Sequence, residues 1–139
     1  MKIIIASDHG GFLAKETVFN HLSKSHTIKD VGCHTDESVD YPDFAHFLCD
    51  HMDNYDIGIL ICGSGQGMAM SANRHKNVRA ALCWSKDIAK LSKEHNNANV
   101  LCLPGRFLSD EDLVEIVDTF LSTEFEGGRH EKRVSKIEC

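Results

Sequence analysis

Ile57-Gly58-Ile59-Leu60-Ile61-Cys62-Gly63-Ser64-Gly65-Gln66-Gly67-Met68 is the segment on which the fold turns. An apolar run this short, ending at a glycine cluster, is a strand buried on both faces. Three glycines within Gly63–Gly67 then allow a sharp turn and bring backbone amides close to a ligand. A helix beginning at Met68 would direct its N-terminal N–H groups and partial positive charge back at the Cys62 sulfur, an environment that favours thiolate over thiol. The same residues also suit a plain buried cysteine in a common strand-to-helix turn.

Outward from this segment the pattern repeats. Apolar runs at Lys2–Ala6, Thr27–Val31, Ile57–Cys62, Arg79–Cys83 and Asn99–Leu103 alternate with helical patterns at Phe12–Ser23, Phe44–Met52, Met68–Asn73, Ser85–Glu94 and Asp110–Leu121. Strands apolar throughout belong to a parallel sheet covered by helices on both faces. The expected class is α/β: a three-layer αβα sandwich on a five-stranded parallel sheet, Rossmann-like, with a C-terminal helical tail. The 139 residues, 42% of them hydrophobic, suffice for one core, so residues 1–139 are expected to form one domain.

Composition excludes several function classes. No apolar stretch approaches a membrane span and no signal-like segment precedes Ile3, which predicts a cytoplasmic protein without a membrane partner. A net charge of −6 disfavours nucleic acid. The six cysteines show no CxxC pair, predicting free thiols in a reducing compartment. The nine histidines form no HExxH or other local ligand set, so no metal is expected. Charge is uneven, however: residues 127–139 carry four Lys or Arg against two Glu, enough to attract a small anion.

Ligands of open parallel sheets bind beyond the carboxyl ends of the strands. Polar candidates there are Asp8 and His9 after the first strand, the loop to Tyr41-Pro42 after the second, and the Cys62 turn after the third. His95-Asn96-Asn97 precedes the fifth strand, and would need its helix to deliver it to the same rim. Each has a structural alternative: Asp8 as a helix cap, Tyr41 as an extended loop residue packing beside Pro42, His95 as an ordinary helix terminus. Arg129 and Arg133 stand four apart, so a short helix would present both guanidiniums on one face, to an anion or to water.

Eight motifs in order carry a family resemblance: Ser7-Asp8-His9-Gly10-Gly11, Ser38-Val39-Asp40-Tyr41-Pro42, Ile61 to Met68, Ala72-Asn73-Arg74, Val78-Arg79-Ala80, His95 to Val100, Pro104-Gly105-Arg106 and Glu126-Gly127-Gly128-Arg129-His130 with Arg133-Val134. Over nearly its whole length the chain resembles type B ribose-5-phosphate isomerases, of the sugar-phosphate isomerase family that includes galactose-6-phosphate isomerase. That resemblance implies an aldose–ketose isomerase of the non-oxidative pentose phosphate pathway, acting on ribose 5-phosphate and ribulose 5-phosphate without a cofactor. It assigns ring opening to His95 with Asp8, and C2 proton removal to a Cys62 thiolate. Met68 stands where some relatives have a carboxylate. Ser64 and the backbone N–H groups of Gly65 to Met68, that of Gly67 among them, would meet the enediolate oxygen, with Gly63 beside them in the substrate-binding turn. His9 and Arg106 would bind phosphate together with Arg129 and Arg133 of a neighbouring subunit. Tyr41, Asn96 and His130 would contact the sugar. The implied assembly is a homodimer, or a tetramer of such dimers, with residues 124–139 packing on a neighbour. A hexose-6-phosphate isomerase for allose or galactose 6-phosphate, or a non-catalytic sugar-phosphate binder, would use the same motifs.

Overall fold

Five strands form one parallel sheet in a computed structural model that describes all 139 residues. They are β1 (Lys2–Ser7), β2 (Thr27–Asp30), β3 (Ile57–Cys62), β4 (Ala80–Leu82) and β5 (Val100–Pro104), in the order β2-β1-β3-β5-β4. The helices are α1 (Phe12–Leu22), α2 (Tyr41–Asp50), α3 (Gln66–Ala72), α4 (Lys86–Asn96), α5 (Asp110–Ser122) and α6 (Arg129–Val134). The predicted three-layer α/β sandwich with a helical tail is what forms.

Alternation along the central strands sorts the core into two layers. Ile3, Ile5, Ile57, Ile59, Ile61, Leu101 and Leu103 face α1, α4 and α5. Ile4, Ala6, Leu60, Cys62, Val100 and Cys102 face α2 and α3. β1, β3 and β5 are buried almost throughout, whereas β2 and β4 stand at the edges and are only half-buried. Lys15 is fully buried on α1, its ammonium 2.5 Å from Asp30 Oδ2 at the end of β2.

β3 lies on the opposite side of β1 from β2, so the chain reverses its winding direction between β1 and β3. The loops leaving those two strands therefore part and open a crevice at their carboxyl ends. The Cys62 turn occupies that position.

Two helix starts differ from expectation. α2 begins at Tyr41 and not Phe44, because Pro42 in the first turn has no N–H to lose and a φ suited to a helix. Tyr41 is thus the first residue of a helix and not an extended loop residue. α3 begins at Gln66, two residues before Met68, since Gly65 takes the left-handed conformation (φ 74°) that lets the helix start immediately after the turn.

Candidate active site

At the carboxyl end of β3, Cys62 is 5% exposed and its Sγ accepts the Gly65 N–H at 3.1 Å. The glycines are sterically required. A Cβ on Gly65 would lie 2.4 Å from Leu82 Cδ1, and one on Gly67 would lie 2.5 Å from the Tyr41 ring. Tyr41 therefore rests on the turn at Gly67. The turn is bound to β5's exit by Gly105 N–H to the Cys62 carbonyl (2.8 Å) and Arg106 N–H to the Gly63 carbonyl (3.1 Å).

The first turn of α3 divides its amides. Gly65 N–H serves the thiol, and Gln66 N–H donates to Ser64 Oγ at 3.3 Å. Gly67 and Met68 N–H have no partner, as expected for the opening of a helix. The set that could receive a developing negative charge is thus narrower than Gly65 to Met68: two free amides and Ser64, whose hydroxyl accepts from Gln66 and keeps its own proton to donate. Met68 itself is fully buried.

Beside this turn, Asp8 Oδ1 accepts Gly11 N–H at 3.0 Å, so the capping alternative holds for one carboxylate oxygen. Gly11 must lack a side chain, since a Cβ there would sit 2.3 Å from the Ile61 carbonyl oxygen. Val39 N–H donates to His9 Nδ1 at 3.2 Å. A ring nitrogen that accepts carries no proton, which leaves the other, Nε2, as the donor of His9. The Arg106 guanidinium packs over Gly10 and Gly63: a Cβ on either would fall 3.2 Å from it or its stem. His9, Gly10, Gly105 and Arg106 line a cavity of about 400 Å³, together with Asp36, which the sequence did not single out.

The five other predicted site residues are elsewhere. α4 runs antiparallel to the strands, so His95 and Asn96 at its end lie beside the start of β5, where Val100 pairs with Gly58. Four residue steps along β3 separate Gly58 from Cys62, about 13 Å of sheet. The helix carries His95 to the amino end and does not deliver it to the Cys62 rim. Arg129, His130 and Arg133 join it there. Glu126 N–H bonds the Glu94 carbonyl (3.1 Å), and the His130 ring stacks on His95 at 4.2 Å with planes 14° apart. In the single chain the tail thus folds onto its own α4. The amino end also holds a cavity of about 560 Å³, larger than the one beside Arg106 and lined by Arg74, Arg79, Asn96 and Cys139 among others. The one thiol on its walls, Cys139, is exposed and receives no backbone N–H, whereas Cys62 at the opposite rim does, which makes the Cys62 rim the better candidate.

Burial disqualifies three of the other cysteines. Desolvation pushes the thiol of Cys49 up to about 12, with Asp50 adding to it, and that of Cys83 up to about 11; Cys102, wholly enclosed, is also raised. None of these three is a base at neutral pH. All six cysteines are free, and no helix is long and apolar enough to cross a membrane. Folding also brings His95, Glu126 and His130 together, with their ligand-type atoms within 4.8 Å of one another, a cluster that includes no local histidine pair.

Known proteins share this fold. A family model described as Ribose/Galactose Isomerase matches residues 3–137. Ribose-5-phosphate isomerase B of Escherichia coli (strain K12) is 38% identical over 139 residues, covering 98% of this chain and 93% of the relative. The crystal structure of a ribose 5-phosphate isomerase from Thermotoga maritima superposes with a TM-score of 0.96 at 51% identity, covering 99% of this chain and 97% of that one. The ribose-5-phosphate isomerase B of Mycoplasma genitalium, solved with bound ribulose-5-phosphate, gives 0.93 at 47% identity over 98% and 93% of the two chains. This chain belongs to the ribose/galactose isomerase family.

Proposed function

We propose that the chain is an aldose–ketose isomerase that interconverts D-ribose 5-phosphate and D-ribulose 5-phosphate. The observation that carries this is the Cys62 sulfur held by a backbone N–H, with two free amides and a hydroxyl beside it, at the mouth of the β1/β3 crevice. Its relatives supply the substrate: one is solved with ribulose-5-phosphate bound.

The Gly65 N–H supports negative charge on sulfur, so Cys62 acts as a thiolate base. It removes the C2 proton of the open-chain sugar and returns it to C1. Meanwhile one oxygen gains and the other loses a proton through a cis-enediolate. Ser64 Oγ–H and the N–H groups of Gly67 and Met68 receive the oxyanion. His9, through Nε2–H, and Arg106 hold the phosphate, and Tyr41 walls the sugar at Gly67.

The one imidazole of this rim, His9, is taken up by the phosphate, which leaves none for ring opening, and Arg106 alone is not a full complement of cations. Both missing parts stand at the amino end: His95 and Asn96 with Arg129, His130 and Arg133. We infer that a second copy of the chain brings its amino-end set to this rim, His95 working with Asp8 on the ring and the two arginines clamping the phosphate. The working unit is then a homodimer with two shared sites. Six free cysteines suit a reducing compartment such as the cytoplasm.

Purified protein given ribose 5-phosphate in excess chelator is expected to form ketose, with allose 6-phosphate turned over more slowly. Binding of ribose 5-phosphate without turnover overturns the proposal, and faster turnover of allose 6-phosphate reassigns the substrate to a hexose.

A further inference from the structure

We propose that His95, Glu126 and His130 form a binding site for a divalent transition-metal ion of the zinc class. Their ligand-type atoms lie within 4.8 Å of one another. At zinc-to-nitrogen and zinc-to-oxygen distances of about 2.0 to 2.2 Å, ligand atoms stand roughly 3 to 3.5 Å apart. The set needs to close by only an ångström or so, through side-chain rotation of the half-buried His95 and the exposed Glu126. Two imidazoles and one carboxylate, with the remaining positions open to water, are a donor set that zinc accepts.

A second observation points to a missing ligand. His130 is 6% exposed, and its buried Nε2 makes no hydrogen bond; Glu126 Oε2 stands 3.3 Å away without the geometry for one. Buried polar nitrogens nearly always have a partner. The Glu126 backbone is tied to Glu94 on the last turn of α4, which holds it beside the two imidazoles; these stack face to face, so the His95 ring must turn out of the stack for its in-plane nitrogen lone pair to meet the ion beside that of His130. Arg129 and Arg133 oppose a cation here, but both are exposed, where water and salt weaken their effect.

A metal on His95 occupies the nitrogen lone pair that would move protons on the closed sugar. The ion is therefore an inhibitor and not a cofactor, a consequence that rests on the role proposed above for His95.

The test is zinc titration of the metal-free full chain by calorimetry, beside isomerase assays with ribose 5-phosphate. Three proteins are compared: wild type, Glu126→Ala and Cys62→Ala. The expected result is zinc binding by wild type and Cys62→Ala, weakened at least about tenfold in Glu126→Ala. Glu126→Ala keeps its metal-free activity and needs correspondingly more zinc for inhibition, while chelator restores the wild type. Absence of zinc binding, or binding and inhibition that Glu126→Ala leaves unchanged, overturns the proposal; loss of binding in Cys62→Ala does the same by placing the ion on the thiol. Glu126-dependent binding without inhibition upholds the metal site and removes His95 from ring opening.

Discussion

Two inactive variants should rescue one another if each site is built from the carboxyl rim of one chain and the amino end of another. Cys62→Ala removes the proposed base from the rim; His95→Asn removes the proposed ring acid from the amino end. The two side chains are on opposite ends of the sheet, about 13 Å apart along β3 alone, so neither substitution disturbs the other's surroundings. In a two-fold dimer containing one copy of each, both lesions fall in one site and the other site is intact. Random reassembly of equal amounts makes about half of the dimers mixed, each with one working site of two, so activity should return to about a quarter of wild type. The assay is ketose formation from ribose 5-phosphate after the two proteins, carrying different tags, are dissociated together and reassembled. Native mass spectrometry counts the mixed dimers. Full formation of mixed dimers with activity no higher than the parents would refute the shared-site model, and place both residues in one chain's site by a movement the fold does not suggest.

Further outcomes follow from individual contacts. Gly65→Ala forces a side chain into the left-handed region at φ 74° and against Leu82, which should cost about 1–2 kcal/mol in a denaturant melt and lower kcat about tenfold as the amide leaves the thiol; an unchanged kcat would show that this N–H does not support the base. Lys15→Ala leaves Asp30 without its buried cation and should cost about 3 kcal/mol, much of it recovered by Lys15→Met with Asp30→Asn; a cost near zero would mean that water reaches Asp30 freely. The folded chain keeps the Cys49 and Cys83 thiols protonated up to about 12 and about 11, whereas the unfolded chain loses those protons near 9.0. The unfolded state thus binds fewer protons above pH 9, so stability should fall as pH rises from 9 towards 11, by at most about 1.4 kcal/mol per pH unit for each thiol. Urea melts at pH 8 to 10.5 should show that slope, and Cys83→Ala should reduce it.

How far the sequence carried the fold depends on burial. β1, β3 and β5 are central and apolar throughout, and their limits were predicted to within a residue or so; β4 is an edge strand of three half-buried residues, where the apolar signal is weakest. The starts of α2 and α3 were missed because a proline and a left-handed glycine decided them, not periodicity. His95 is a different case, because the sequence itself carries the signal of where it stands. In a parallel sheet every strand-to-helix loop lies at the carboxyl end and every helix-to-strand loop at the amino end. His95-Asn96-Asn97 precedes its strand and so belongs at the amino end. Nothing comparable announced Glu126 against His95, which meet only because the tail folds back over α4.

That rule also bears on function. One end of the sheet holds a supported thiol, free amides, Asp8, and a single arginine with His9 for the phosphate. The other holds two stacked imidazoles and a pair of arginines on one short helix. A closed sugar phosphate needs an acid for its ring, a base for C2 and cations for its phosphate, and neither end has all three. No side-chain rotation spans the thickness of the sheet's length between them. Two copies packed antiparallel about a two-fold axis would bring each end against its complement, so that the insufficiency of each rim, and not any apolar patch, is the physical ground for expecting a dimer.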